Sequence, residues 1–93
     1  MSTAEDDLTN VRKAIDGIDG ALMELLARRF DEVKKVTALK QQLGLPAFVP
    51  ARADAVVARA RASAQKVGFP PDTAAKMWTL LIDEMCKYEE AHL

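Results

Sequence analysis

Apolar positions in the first part of the chain fall into two interleaved sets, each repeating every seven residues. One set is Leu8, Ile15, Leu22, Arg29 and Val36. The other is Val11, Ile18, Leu25, Glu32 and Leu39. A period of 3.5 marks a helix that runs beside another helix for a long distance. From about Asp6 to Gln42 there is neither Pro nor a Gly pair. Gly17 and Gly20 stand singly, so they cost helix stability without ending the helix. Gly44 follows the last periodic residue, where a helix stop belongs. "GLPAFVP" then reads as a loop, and Pro50 suits the first turn of a second helix, Pro50 to about Lys66. "VGFPPD" is the next break. Pro71 opens a third helix, with Asp72 favourable in its first turn, running to about Ala91. No strand alternation and no internal repeat is present. The pattern predicts an all-α chain of one long, one short and one medium helix.

Length adds a constraint. A helix of some 36 residues spans roughly 54 Å, whereas a compact chain of this size is roughly 30 Å across. The long helix would outrun a compact monomer, and its apolar seam needs a partner. A second copy of the same chain is the simplest one. We therefore expect residues 1–93 to form a single domain that intertwines as a homodimeric helical bundle. The alternative is a helix broken near Gly17 or Gly20, folded back as a monomeric bundle.

Composition narrows the partners. The formal charge is −1 and nearly half the residues are hydrophobic. That balance leaves no electrostatic footprint for nucleic acid and no polybasic patch for a membrane surface. Cys86 is the single cysteine, which excludes an intrachain disulfide and a zinc cluster of cysteines. The opening MSTAEDDLTN is acidic and polar, unlike a signal or transit peptide. No apolar run approaches membrane-spanning length. The expected location is the cytoplasm.

Charges on the apolar stripes are the candidate chemistry. Arg29 occupies a seam position, with Glu32 next on the other set. An interface salt bridge, or an arginine with a buried stem and a wet head, explains one such residue. Lys40 shifts the picture. It lies three turns beyond Arg29 on nearly the same face, roughly 16 Å away. Val33, Val36 and Thr37 lie between them. Two cations across an apolar floor suit a small dianion. Arg28, Lys34 and Lys35 read as solvated. Arg12 sits at the edge of the stripe, about 25 Å from Arg29 along the helix, so the two cannot clamp one small ligand from the same helix. In an antiparallel dimer the partner's Arg12 would approach Arg29.

The third helix has a matching oddity. Its stripe is Ala74, Trp78, Leu81, Ile82 and Met85, and the next seam position is Glu89. A carboxyl there is either a salt-bridge partner for one of the cations or a working acid. Trp78 reads as core, and so does Met85, which is kept as a candidate substrate contact. Cys86 reads as a small buried residue and His92 as solvated. Tyr88 fits either core or rim.

"VRKAIDGID", "LLARRFDEVKKVTALK", "GLPAFVPAR" and "LLIDEMCKYEE" together resemble the all-helical chorismate mutase family over nearly the whole chain. The ordered set Arg12, Arg29, Lys40, Arg52 and Glu89 carries the resemblance. It implies a three-helix chain intertwined as a dimer with two shared sites, and the Claisen rearrangement of chorismate to prephenate. That reaction is pericyclic and needs no nucleophile, metal or cofactor. By resemblance, Arg29 and the partner's Arg12 bind the two substrate carboxylates, where a guanidinium fork fits. Lys40 reaches the ether oxygen and a carboxylate. Glu89 matches a position, usually Gln, that donates a hydrogen bond to the same oxygen. Arg52 lines the site, with Val33, Val36 and Met85 as further substrate contacts.

Two departures from the mutase pattern concern the ring substituent. Ala53 stands where typical mutases carry a glutamate that binds the ring hydroxyl, and Val49 replaces a loop aspartate. In this the chain resembles two relatives on the same scaffold, isochorismate-pyruvate lyase and 4-amino-4-deoxychorismate mutase. "EMCKYEE" is closest in pattern to the latter. A non-catalytic helical dimer serving as a regulatory or interaction module is the reading outside enzyme chemistry.

Overall fold

The computed structural model describes residues 2–93, and among them the chain forms three α-helices. Helix α1 spans Thr3–Leu43. It starts earlier than the heptads indicate because Ser2 caps it. The Glu5 N–H donates to Ser2 Oγ at 3.0 Å, in the Ser-x-x-Glu spacing of a capping box. Glu5 and Asp6 in the first turn and Lys40 in the last suit the helix dipole. The helix passes Gly17 and Gly20 without interruption. That overturns the alternative of a helix broken there: single glycines weaken an α-helix by only about 1 kcal/mol each.

Helix α2 spans Pro50–Val67 and α3 spans Pro71–His92. Both begin on proline, as expected from the sequence. Val49 stands at the N-cap of α2 and offers no side-chain cap. Gly44 and Gly68 end α1 and α2 with φ of 68° and 80°, a region that side-chain-bearing residues rarely enter. Past each of them the next N–H reaches back five residues. Leu45 donates to the Lys40 carbonyl and Phe69 to that of Ala64, both at 2.9 Å. This is the Schellman closure, which satisfies carbonyls that the helix leaves over.

Two compact units divide the chain, one through Glu32 and one over Val33–Leu93. In the first, the seam side chains Leu8, Val11, Ile15, Ile18, Leu22 and Leu25 are each 49–60% exposed. In the second, α2 packs along α3. Its buried apolar residues are all alanines: Ala47, Ala64, Ala74 and Ala75. Small side chains let the helices approach closely. Among the described residues no large side chain is fully buried. Trp78 and Met85, read as core, are half-buried, as are Leu81 and Ile82. The stripe on α3 is therefore buried at its two ends, Ala74 and Glu89, and half-covered between them.

Candidate active site

Two groups in the second unit are both polar and buried: Thr37 at 5% exposure and Glu89 at 4%. They face each other from α1 and α3. Glu89 Oε2 lies 2.9 Å from Lys40 Nζ, and Glu89 Oε1 lies 3.3 Å from Thr37 Oγ1. Lys40 Nζ also donates to the Ala47 carbonyl at 2.7 Å. The segment after α1 thus folds back over the lysine of its last turn.

Local sequence explains the placement. Thr37 and Lys40 are three residues apart and share one face of α1. Glu89 continues the α3 stripe one turn beyond Met85. Val33 lies one turn before Thr37, and its carbonyl accepts from the Thr37 hydroxyl at 2.8 Å. Taking the charged pair out of water is costly, and the mutual contact offsets that cost only with further hydrogen bonds. Ala47 and Thr37 supply those bonds, one on each side. An ammonium has three hydrogens. Two of Lys40's are directed at Ala47 and Glu89, and a third remains for a ligand.

Cys86 lies beside the pair, its Sγ 3.8 Å from the same Ala47 carbonyl. Burial pushes its thiol pKa above the usual range, the charge of Glu89 pushes it further, and Lys40 opposes the rise. That direction favours the neutral thiol over the nucleophilic thiolate.

Of the residues singled out from the sequence, the structure brings Lys40 and Glu89 together. Val33 is half-buried and adjoins them through Thr37; Val36 is 43% exposed. Met85 is half-buried, and Arg52 is exposed in the first turn of α2. Arg29 is half-buried and Arg12 exposed, both in the stretch of α1 through Glu32. Ala53 lines an open groove on α2 and α3 with Phe48, Val57 and Ile82. Tyr88 is half-buried and stacks on His92, ring centroids 4.1 Å apart. Sequence reasoning placed Thr37 on the floor of the site but missed its contact with Glu89. It also missed the Ala47 carbonyl, whose position depends on a loop path without periodicity.

Among the described residues no three His, Cys, Asp or Glu side chains converge as a metal site would require. No helix among them is long and apolar enough to cross a membrane.

Comparison with known proteins points to one family. A sequence model of chorismate mutase type II matches residues 11–90. The T-protein of Enterobacter agglomerans is 42% identical over 66 residues, which is 71% of this chain and 18% of the T-protein. The chain thus spans less than a fifth of that relative's length. The 4-amino-4-deoxychorismate mutase of Streptomyces venezuelae is 28% identical over 88 residues, 95% of this chain and 85% of that protein. The chorismate mutase of Methanocaldococcus jannaschii is also 28% identical over 88 residues, 95% of this chain and 89% of that protein.

Proposed function

The chain belongs to the chorismate mutase type II family, and from that membership we propose that it catalyses the Claisen rearrangement of chorismate to prephenate, as one domain working in a homodimer. The buried cluster of Thr37, Lys40 and Glu89 carries the reading. It sets a cation and a carboxyl side by side on otherwise apolar helix faces, at two positions that the family resemblance assigns to the ether oxygen. In this rearrangement one C–O bond breaks and one C–C bond forms. No proton or electron is exchanged with the protein. Its task is to hold the side chain over the ring and to meet the negative charge that develops on the ether oxygen.

The third hydrogen of Lys40 is directed at that oxygen. Glu89 donates to it only when protonated, because a carboxylate has no hydrogen to give. Arg29 and the partner's Arg12 take the two carboxylates of the substrate. Arg52 closes the site, and Val33, Val36 and Met85 give it apolar walls.

The exposed seam of α1 supports the homodimer. Full burial of a Leu or Ile is worth about 1.5–3 kcal/mol, so covering the open half of each gives about 1 kcal/mol. Over both copies of the seam that sum is on the order of 12 kcal/mol, comparable with the roughly 4–15 kcal/mol that association costs. Leu26, Leu39 and Leu43, also exposed, add to it.

A second reading is favoured by Ala53, which offers no group for a ring hydroxyl, and by the match to the Streptomyces venezuelae protein over nearly its whole length. Under it the substrate is 4-amino-4-deoxychorismate. One experiment tests both: ultraviolet assays of the purified protein with chorismate, the 4-amino analogue and isochorismate. Turnover of chorismate sustains the first reading and preference for the amino analogue the second. Pyruvate released from isochorismate reveals a lyase instead. No turnover of any of them refutes catalysis and leaves a helical interaction module.

A further inference from the structure

Thr37 holds one hydroxyl hydrogen between two acceptors. The Val33 carbonyl is 2.8 Å from Oγ1, and Glu89 Oε1 is 3.3 Å away. One hydrogen cannot serve both. While it points at Val33, the contact with Glu89 is favourable only if Glu89 brings a proton of its own. While it points at Glu89, the carboxyl is served as an anion, and the Val33 carbonyl falls back on its helical bond alone. Thr37 is 5% exposed, so water does not stand in for it.

We infer that Thr37 is the positioning residue for the Glu89 carboxyl, its hydroxyl turning from the Val33 carbonyl to Oε1, which accepts it whether Oε2 is ionised or carries the acid's single proton. The consequence for catalysis rests on the mutase reading of Glu89. With Oε1 fixed by Thr37, Oε2 is kept on the Lys40 side, where both groups meet the reacting oxygen. Of the titratable and charged groups near this carboxyl, Lys40 from α1 pairs with Oε2, and Cys86, Glu90 and Asp83 lie on its own helix, where Glu89, Glu90 and Asp83 all raise the Cys86 thiol pKa. None of them sits on the Oε1 side with a hydrogen bond. A helix-interior threonine often back-bonds to a carbonyl one turn earlier. The unusual feature is the buried carboxyl on the far side of the same oxygen.

The test compares Thr37→Val, which keeps the shape and removes the hydroxyl, with Thr37→Ser, which keeps the hydroxyl. Crystal structures of the wild type and the valine variant should show Glu89 in one orientation in the first, and turned or split in the second. In kinetics, Thr37→Val should lower kcat about tenfold, the scale of one hydrogen bond to a charged group, with KM little changed. Thr37→Ser should recover most of that loss. In a Glu89→Ala background the valine substitution should cost nothing further. The inference is overturned if Glu89 keeps its orientation in Thr37→Val, if serine is as poor as valine, or if valine costs the same factor without Glu89. Should the wild type turn over none of the substrates, the mutase reading fails while the crystallographic comparison still decides the role of Thr37.

Discussion

The proposed sharing of each site between two subunits makes a quantitative prediction about mixed dimers. Arg12 and Arg29 lie on one unbroken helix, about 25 Å apart along the axis and about 100° apart around it. Two extended side chains shorten that gap by roughly 12 Å at most. One chain therefore cannot bring both guanidinium groups onto one small dianion, and under the proposed function each site takes Arg12 from the partner subunit. Arg12→Ala and Arg29→Ala homodimers should each be nearly inactive, because every site lacks one arginine. In a mixed dimer, one site pairs an intact Arg29 with an intact Arg12, and the other lacks both. Random reassortment makes about half the dimers mixed, so about one quarter of all sites, and of wild-type activity, should return. The assay is to unfold and refold the two variants together, measure turnover, and quantify heterodimers with a charge or mass tag. A refolded mixture as inactive as its parents, with heterodimers demonstrated, would refute the shared site. Full activity in either parent would refute it as well.

Other substitutions test the groups singly. Arg29→Ala should reduce kcat/KM by at least ~100-fold while the protein stays folded, and Arg29→Lys should also be poor because the planar fork is lost; circular dichroism and steady-state kinetics decide. For Glu89, wild-type kcat/KM should rise as the pH is lowered, since only the protonated acid donates to the ether oxygen. Glu89→Gln donates at any pH, so it should flatten that limb and keep or increase activity near neutrality; superimposable pH–rate profiles would leave Glu89 a structural ion-pair partner only. Cys86, its thiol held neutral by burial and by Glu89, should be alkylated by iodoacetamide near pH 8 more slowly than a small free thiol. Lys40→Ala removes the one nearby charge that opposes this and should slow the reaction further.

The outline of the fold was legible because each signal was local. A sustained seven-residue repeat needs one long helix. Gly44 and Gly68 stop helices because few other residues tolerate their backbone angles, and Pro50 and Pro71 start them. The early start of α1 was legible too, in Ser2 and Glu5, but heptads count apolar positions and ignore a cap. Trp78 and Met85, read as core, came out half-buried, since an apolar helical stripe reports which face is favoured for burial and not how much of it is covered. In the site, Lys40 and Glu89 could be found because each interrupts an apolar stripe, and charges on such stripes must find partners. Their link through Thr37 and Ala47 could not: it joins residues 52 and seven positions apart through a loop path and one hydroxyl rotor.

That link also removes the opposition between a structural salt bridge and a working site. A buried ion pair broken by removal of one partner costs about 3–5 kcal/mol. With Glu89 alone, Lys40 would keep two further N–H groups whose directions nothing else fixed. The Ala47 carbonyl changes the geometry. It and Glu89 hold the ammonium from two directions, which fixes the direction of the third N–H. Under the proposed function, a substrate oxygen then meets a donor already aimed. The contacts that stabilise the folded chain are, on that reading, the ones that orient the cation for chemistry.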